Sequence, residues 1–577
     1  MRINNLAIIT ILLPIISYGQ FEKKKSYFIN KCQVAPKIDG LLNDETWENA
    51  NKAHQFTQIS PNNGDYERDN QKTEVKICYD SKNIYFGVMM YDNAPDSILR
   101  EFTKRDNLGN ADVFSIYINP FNDGQIEYIF TVTASGIQSD AKQTTSKKDD
   151  SWNGVWKSAV KINDEGWIAE LAIPFSQLRF PNNNKPWAIN MSRTIRRYRE
   201  DYSWNPINIE YSNISLQAGL LKGINNINSP IRLSFMPYTS IYLDMYDGQT
   251  NSIYNYGMDL KYGINQSFTL DMTLIPDFGQ VASDDQILNL SPFEIKYEEK
   301  RQFFNEGTEL FNKGDDMFYS RRLQNDLLNA TKITGRTKSG LGLALLNAVT
   351  KQTEQEPLTN YNVIIFDQSF GNGSSLSLMN TNVVQKGEQK DANVTGVFAR
   401  INNKKNTHTY NSKLKMSQEF EADNLIKGLA GMFSMQNNNG NYRYKVFSII
   451  KDDKYNPNDL GFLYKNNEIT HGLDFGYEQL IKNKRFISRK HYLFIKHKTL
   501  FTDNKFVDFE IEAENKFMFK NYLFLMMKII TKPFEQEDQY WLYCLKTGVK
   551  LLPSFLSHLA NIYISGGDYL YEQDVIC

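Results

Sequence analysis

The residues in this sequence that could do chemistry are mostly carboxylates. Glu294, Glu298, Glu299, Glu306 and Glu309 form the densest cluster, with Asp284 and Asp285 shortly before it. Cleaving a glycosidic bond takes two carboxyl groups about 5 to 9.5 Å apart, one on either side of it. The same residues also make an ordinary charged surface, with Lys300 and Arg301 as counter-charges at the spacings that pair along a helix. We favour that second reading. No GxSxG, HExxH or phosphate-loop motif is present, and the six histidines are scattered without metal-ligand spacing. No catalytic residue, metal or cofactor is assigned.

Binding chemistry is better represented than catalysis. A sugar is held by a flat aromatic face together with planar polar groups. Trp152 and Trp156 lie four residues apart, so on a strand they share a face, and the polar stretch Lys147 to Ser151 precedes them. Trp152 is the candidate platform. Candidate hydrogen-bonding groups are Arg105, Asp106 and Asp112, and further along Arg193, Arg196 and Glu200. The alternative for these charged groups is a salt-bridge network across a sheet face. The carbohydrate-binding set expected from the sequence is therefore Trp152, Arg105, Asp106, Trp156, Arg193 and Glu200. Trp47, Trp167, Trp187 and Trp204 are further candidates that read mostly as core.

These side chains need elements to hold them. At 577 residues the chain exceeds a single core, so two or more domains are expected. Lys plus Arg is 65 against 66 Asp plus Glu, a balance that does not argue for nucleic acid as a partner. Aromatics reach 13%, with 33 Tyr and 36 Phe, which suits sheets and membrane-interface belts. Arg2, the apolar run Leu6 to Ile16 and the small-x-small site Ser17-Tyr18-Gly19 predict a signal peptide over residues 1–19, hence export. That run is too short to span a bilayer, and no later run reaches 18 apolar residues, so insertion would have to be as a barrel. Cys32 and Cys78 either form a disulfide or stay as two buried thiols; no CxxC spacing involves them, Cys544 or Cys577.

The first half reads as short strands between turn signals: Glu74 to Tyr79, Ile84 to Tyr91, Val113 to Asn119, Glu127 to Thr133, Trp156 to Ile162 and Trp167 to Ile173. That spacing predicts a β-sandwich over residues 26–225. From Ile231 the strands lengthen and alternate strictly. Val507, Phe509, Ile511 and Ala513 interleave with Asp508, Glu510 and Glu512, and Leu429, Gly431, Phe433 and Met435 with Ala430, Met432 and Ser434. One apolar and one polar face per strand predicts an antiparallel transmembrane β-barrel over 231–577, of roughly sixteen to eighteen strands. The final stretch, Gly566 to Cys577, carries no closing strand, so the barrel is expected to be incomplete.

The stretch Asp271 to Phe311 organises the second half. Phe268, Leu270, Met272 and Leu274 alternate with polar residues up to Pro276, which ends the strand. Ser291-Pro292-Phe293-Glu294 then looks like a capped helix start, predicting a charged helix from Pro292 to Arg301 folded into the lumen or its mouth, with Phe293, Tyr297, Phe303 and Phe304 on the wall. The segment Leu270 to Phe311, with Phe318 to Arg322 and Thr331 to Arg336, resembles an uncharacterised outer-membrane barrel family, the domain of unknown function 5916. In that family the barrel follows a domain similar to family 9 carbohydrate-binding modules. IDGLLNDETW, SWNGVWKSAVKINDEGWIAELAIPFSQLRF and INMSRTIRRYRE are similar to that module. The resemblance implies an all-β protein of the Gram-negative outer membrane, with oligo- or polysaccharide and outer-membrane lipid as partners. Two rivals stay open: a glycan hydrolase, and a docking or plug module without sugar affinity.

Overall fold

The computed structural model describes residues 24–552, apart from 145–147, 182, 212, 226, 228–231, 247–248, 278–283, 285, 324–326, 355, 388–389, 422–423, 481–485, 520–523 and 536–540. The expected signal peptide and the stretch Gly566 to Cys577 lie outside the described residues, as does Asp285.

Two sheets make the N-terminal sandwich. The nine-stranded sheet runs Ser26–Phe28, Gly219–Lys222, Trp187–Ile195, Val113–Asn119, Ile126–Thr133, Gln138–Thr144, Lys148–Asp149, with Glu200–Ser203 and Thr57–Ser60 joined at its side. The six-stranded sheet is built on Lys157–Asn163, Gly166–Pro174, Asn83–Tyr91 and Thr73–Tyr79. Their facing sides interdigitate Ile77, Phe86, Val88, Phe114, Ile116, Phe130, Trp167, Leu171, Trp187, Ile189 and Met191 into one apolar core. Strands expected from alternation in the sequence appear within a residue or two of their predicted ends. Trp47 closes the short helix Glu45–Glu48, fully buried.

A buried carboxylate fastens the chain start to this core. Glu170 accepts the backbone N–H groups of Asp39 and Gly40 at 2.9 and 2.7 Å, and the Trp47 indole N–H at 2.8 Å. Gly40 holds φ +83, and a Cβ there would press on Lys161, so glycine is what this turn requires. Cys32 and Cys78 are both free thiols, as in the second of the two states that the sequence left open, but only Cys78 is buried and Cys32 is half-buried.

Sixteen strands, from Leu233–Tyr246 to Trp541–Leu552, form one antiparallel sheet in which each strand pairs with its sequence neighbour. The order runs open from the first strand to the last among the described residues. Its side chains are sorted opposite to a soluble protein's. Leu376, Leu378, Val397, Leu414, Leu429 and Phe433 are exposed, whereas Ser377, Thr381, Lys332, Asp367, Ser417 and Ser434 are buried. No helix among the described residues is long and apolar enough to cross a membrane.

The buried side, which carries polar and apolar side chains together, is covered by the segment between Phe268–Leu274 and Leu327–Arg336. Phe304, Leu310, Phe311, Met317 and Leu323 of this segment pack on Ala330, Ala344, Leu346, Val363, Ile365 and Met379 of the wall. The expected helix Pro292 to Arg301 does not form. That stretch is irregular, and the helical turn falls on Gln302–Asn305. Side chains take the backbone's partners instead. The Tyr319 hydroxyl accepts the Tyr297 N–H at 2.9 Å and donates to its carbonyl at 2.9 Å, and the Glu299 carboxylate accepts the Arg301 N–H at 2.9 Å. Of the aromatics expected on the wall, Phe303 and Phe304 pack there, Tyr297 is half-buried, and Phe293 is exposed beside Tyr464.

The acidic cluster is tied up in ion pairs. Glu294 meets Arg322 at 2.6 Å, Glu299 meets Arg301 at 2.7 Å and Glu309 meets Lys142 at 2.7 Å, while Glu306 pairs with Lys261 and Asp284 with Arg321. The counter-charge reading of these acids therefore describes most of them, with one partner, Arg301, two residues away and the others drawn from across the fold rather than along a helix.

Candidate functional site

Two places on the sandwich gather polar and aromatic side chains. The first surrounds the edge strand Gln138–Thr144. Trp152 sits in an irregular loop rather than on a strand, half-buried, with Tyr128 and Phe130 edge-on at 5.4 and 5.7 Å. The Lys142 ammonium stands 5.2 Å from its ring centre. Trp156 is buried, and its N–H donates to Asp140 at 2.9 Å. Asp140 also accepts the Gly154 N–H at 2.7 Å and pairs with Arg105. Arg105 donates further to Gln138 at 2.6 Å and lies 3.9 Å from Asp106. Trp152, Trp156, Arg105 and Asp106 are thus brought together, but around a buried carboxylate that already takes up several of their donors.

Arg193 and Glu200 lie elsewhere. Arg193 is 1% exposed and donates to the carbonyls of Gln71 and Tyr91, both at 2.9 Å. It occupies the inward register of Trp187–Ile195, shared with Trp187, Ile189 and Met191. Glu200 is buried between Arg68 and the Tyr202 hydroxyl, which donates at 2.8 Å. Asp112 is buried too, accepting the Arg196 N–H at 2.9 Å, and burial pushes its carboxyl up to about 6. Burial of Trp156, Arg193 and Glu200 departs from the expected ligand-facing set, because core packing, buried carbonyls and internal partners use the faces and polar groups that a sugar would need.

The second place was not anticipated. On the outer face of the nine-stranded sheet, Ile207, residues 213–215, Ala218 and the rim of the large sheet enclose a cavity of about 600 Å³. Its floor is the outward register of three strands, with Tyr117, Glu127, Ile129, Asn190 and Ser192, and its far wall carries Arg400, Gln436 and Asn438. The Tyr117 hydroxyl lies 3.3 Å from Ser192 Oγ, and Ser215 donates to Glu127 at 3.0 Å. Burial pushes the Glu127 carboxyl up to about 7 against that hydrogen bond. Arg400 is half-buried with its Nε unpartnered. A volume of this size, lined by a ring and several amides and hydroxyls, is typical of a small-ligand site.

The cavity exists because the two halves touch. Arg443 donates to the Ile209 carbonyl at 2.9 Å, Arg179 to Thr334 at 2.9 Å, and Ser267 to the Phe180 carbonyl at 2.9 Å. The lumenal segment joins in through Lys142–Glu309 and through Lys313, which lies 3.4 Å from Gln125. Among the described residues, no group of three His, Cys, Asp or Glu side chains is arranged to hold a metal ion.

Comparison with known proteins follows this division. The sequence profile of the domain of unknown function DUF5916 matches residues 229–326 and 324–544, and that of the carbohydrate family 9 binding domain-like family matches residues 38–196. No curated protein matches the chain. Among solved structures, a family 9 carbohydrate-binding module from Caldicellulosiruptor kristjanssonii in complex with cellotriose is 15% identical, with 35% of this chain and 96% of that one covered and a TM-score of 0.25. A putative carbohydrate-binding protein from Bacteroides uniformis is 14% identical, covering 35% and 100%, with a TM-score of 0.28. OccK5 (OpdH) of Pseudomonas aeruginosa is 10% identical, covering 75% and 93%, with a TM-score of 0.24.

Proposed function

The chain belongs to the DUF5916 family, and from that premise we propose that it is an outer-membrane protein whose N-terminal sandwich binds carbohydrate. One observation carries the sugar reading: the cavity of about 600 Å³ on a domain of the carbohydrate family 9 binding kind, lined by Tyr117, Asn190, Ser192, Gln436 and Asn438. A pyranose offers an apolar face for a phenol ring and hydroxyls that both donate and accept, which amides and hydroxyls match. The membrane reading is supported by the large sheet, whose apolar side chains Leu376, Leu378, Val397, Leu414, Leu429 and Phe433 are exposed while polar ones such as Lys332, Asp367, Thr381 and Ser417 are buried. The sandwich would then hold glycan fragments at one mouth of a barrel, as a binding rather than a hydrolytic device.

The patch of Trp152, Arg105 and Asp106 is a second candidate surface, since the Arg105 side chain is 39% exposed beside a half-buried indole. One experiment separates the two. Full-length protein in detergent is titrated by calorimetry with cello- and xylo-oligosaccharides, where a site with one ring and a few hydrogen bonds binds at roughly micromolar to millimolar Kd. Tyr117→Ala should abolish that binding and Trp152→Ala should leave it. The reverse result moves the site to Trp152, and no binding at millimolar sugar overturns the carbohydrate reading.

A further inference from the structure

Among the described residues, two charged side chains line the cavity, Glu127 and Arg400, and they are not alike. Glu127 is buried, accepts a hydrogen bond from Ser215, and sits in surroundings that keep its proton on below neutral pH. Arg400 keeps its charge under all ordinary conditions. Its strand neighbours across the wall are Ser375 on one side and Asn411 on the other, both neutral. None of the described acids pairs with it. Two other cations are treated differently: Asp367 of the same sheet holds both Arg336 of the sheet and Lys313 of the covering segment at 2.5 Å.

A guanidinium taken partly out of water without an anion is an unfavourable arrangement, and it is normally relieved by a carboxylate or phosphate in a two-pronged pair. Moreover, its position faces a cavity of ligand size rather than the protein interior. We infer that the cavity takes an acidic sugar, a uronate, with the ring on the Tyr117 side and its carboxylate on the Arg400 guanidinium. This rests on the carbohydrate reading above and adds the charge of the ligand to it. It also gives the large sheet a share in recognition, since the anion-binding group comes from the strand Asp391–Asn402, beside Gln436 and Asn438 of the same sheet, and the floor of the site from the sandwich.

The test compares acid and ester. Full-length protein in detergent at pH 6, where a uronate is ionised and Glu127 holds its proton, is titrated with trigalacturonate and with its methyl ester. The same pair of measurements is made on a glucuronate-bearing xylo-oligosaccharide. The ester keeps the rings and removes the charge. At least one acid should bind tenfold or more tighter than its ester, with the preference shrinking as salt rises. Arg400→Gln should bring acid and ester within twofold. Arg400→Lys, which keeps the charge, should retain a several-fold preference. Equal affinity of acid and ester for the wild-type protein, with the ester binding, overturns the uronate assignment and leaves the sugar site standing. A preference that survives in Arg400→Gln overturns the role of Arg400. Binding of neither acid nor ester overturns the assignment, and the carbohydrate reading beneath it falls as well only if the cello- and xylo-oligosaccharides also fail to bind.

Discussion

Glu127 shows how much one buried side chain can weigh on this fold. Its carboxyl is raised from an ordinary 4.5 to about 7, because burial disfavours the charge more than the Ser215 hydrogen bond helps it. The folded protein therefore keeps a proton that the unfolded chain has already released, so stability falls as pH rises through this interval. The penalty is absent below about 4.5 and complete above about 7. At about 1.4 kcal/mol per pKa unit, it amounts to roughly 3 kcal/mol. Glu127→Gln should match the wild type near pH 4.5 and melt higher at pH 8, with the gap opening between. Tryptophan fluorescence can read this, since six of the seven tryptophans, Trp47 to Trp204, lie in the sandwich half. An unchanged gap across that range would mean that Glu127 titrates as an exposed acid. Asp112, also raised by burial, adds a pH slope of the same sign that the variant does not remove.

At the scale of elements, the strands were legible and the irregular segments were not. Period-two alternation survives in Leu429, Phe433 and their polar partners because each strand has one wet and one apolar side, a property of the strand alone. The same rule would have placed Arg193 inward with Trp187 and Ile189, and Asn190 and Ser192 outward toward the cavity. Reading Arg193 by its charge rather than its register is what misplaced it. The capped-helix signal at Ser291-Pro292 was real as local chemistry, but Tyr319 and Glu299 compete for the backbone groups, and Tyr319 comes from beyond the horizon of a local motif. Arg400 carries no sequence mark at all, since its meaning depends on the cavity that the two halves make together. The lumenal segment has a measurable consequence. Its apolar side chains fill the inner wall, so replacing residues 291–318 with a short Gly-Ser linker should raise single-channel conductance in planar bilayers several-fold. Unchanged conductance in a folded barrel would put the segment outside the conducting path.

For the whole molecule, the sorting of side chains decides the solvent. Exposed Leu414, Leu429 and Phe433 on the same surface would aggregate in water and are at home in hydrocarbon. The protein should therefore fractionate with outer membranes and run faster on gels unheated than boiled; recovery as a monomer without detergent would contradict this. Contacts such as Arg443 with the Ile209 carbonyl and Lys142 with Glu309 hold the sandwich on one rim of that sheet. The lumenal segment also bears on the order of assembly. Every other ladder of the large sheet closes over a connection shorter than this one, many of them only a few residues long, but Phe268–Leu274 meets Leu327–Arg336 across residues 275–326. Closing roughly fifty residues instead of roughly five costs about 2 kcal/mol more in chain entropy. The ribbon of three strands before that seam and the thirteen after it should zip separately, with the seam knitting last as the segment settles between them. Pulse-labelled amide exchange during refolding should then find Thr269 to Thr273 protected later than the hairpin of Leu341–Thr350 with Thr359–Ser369.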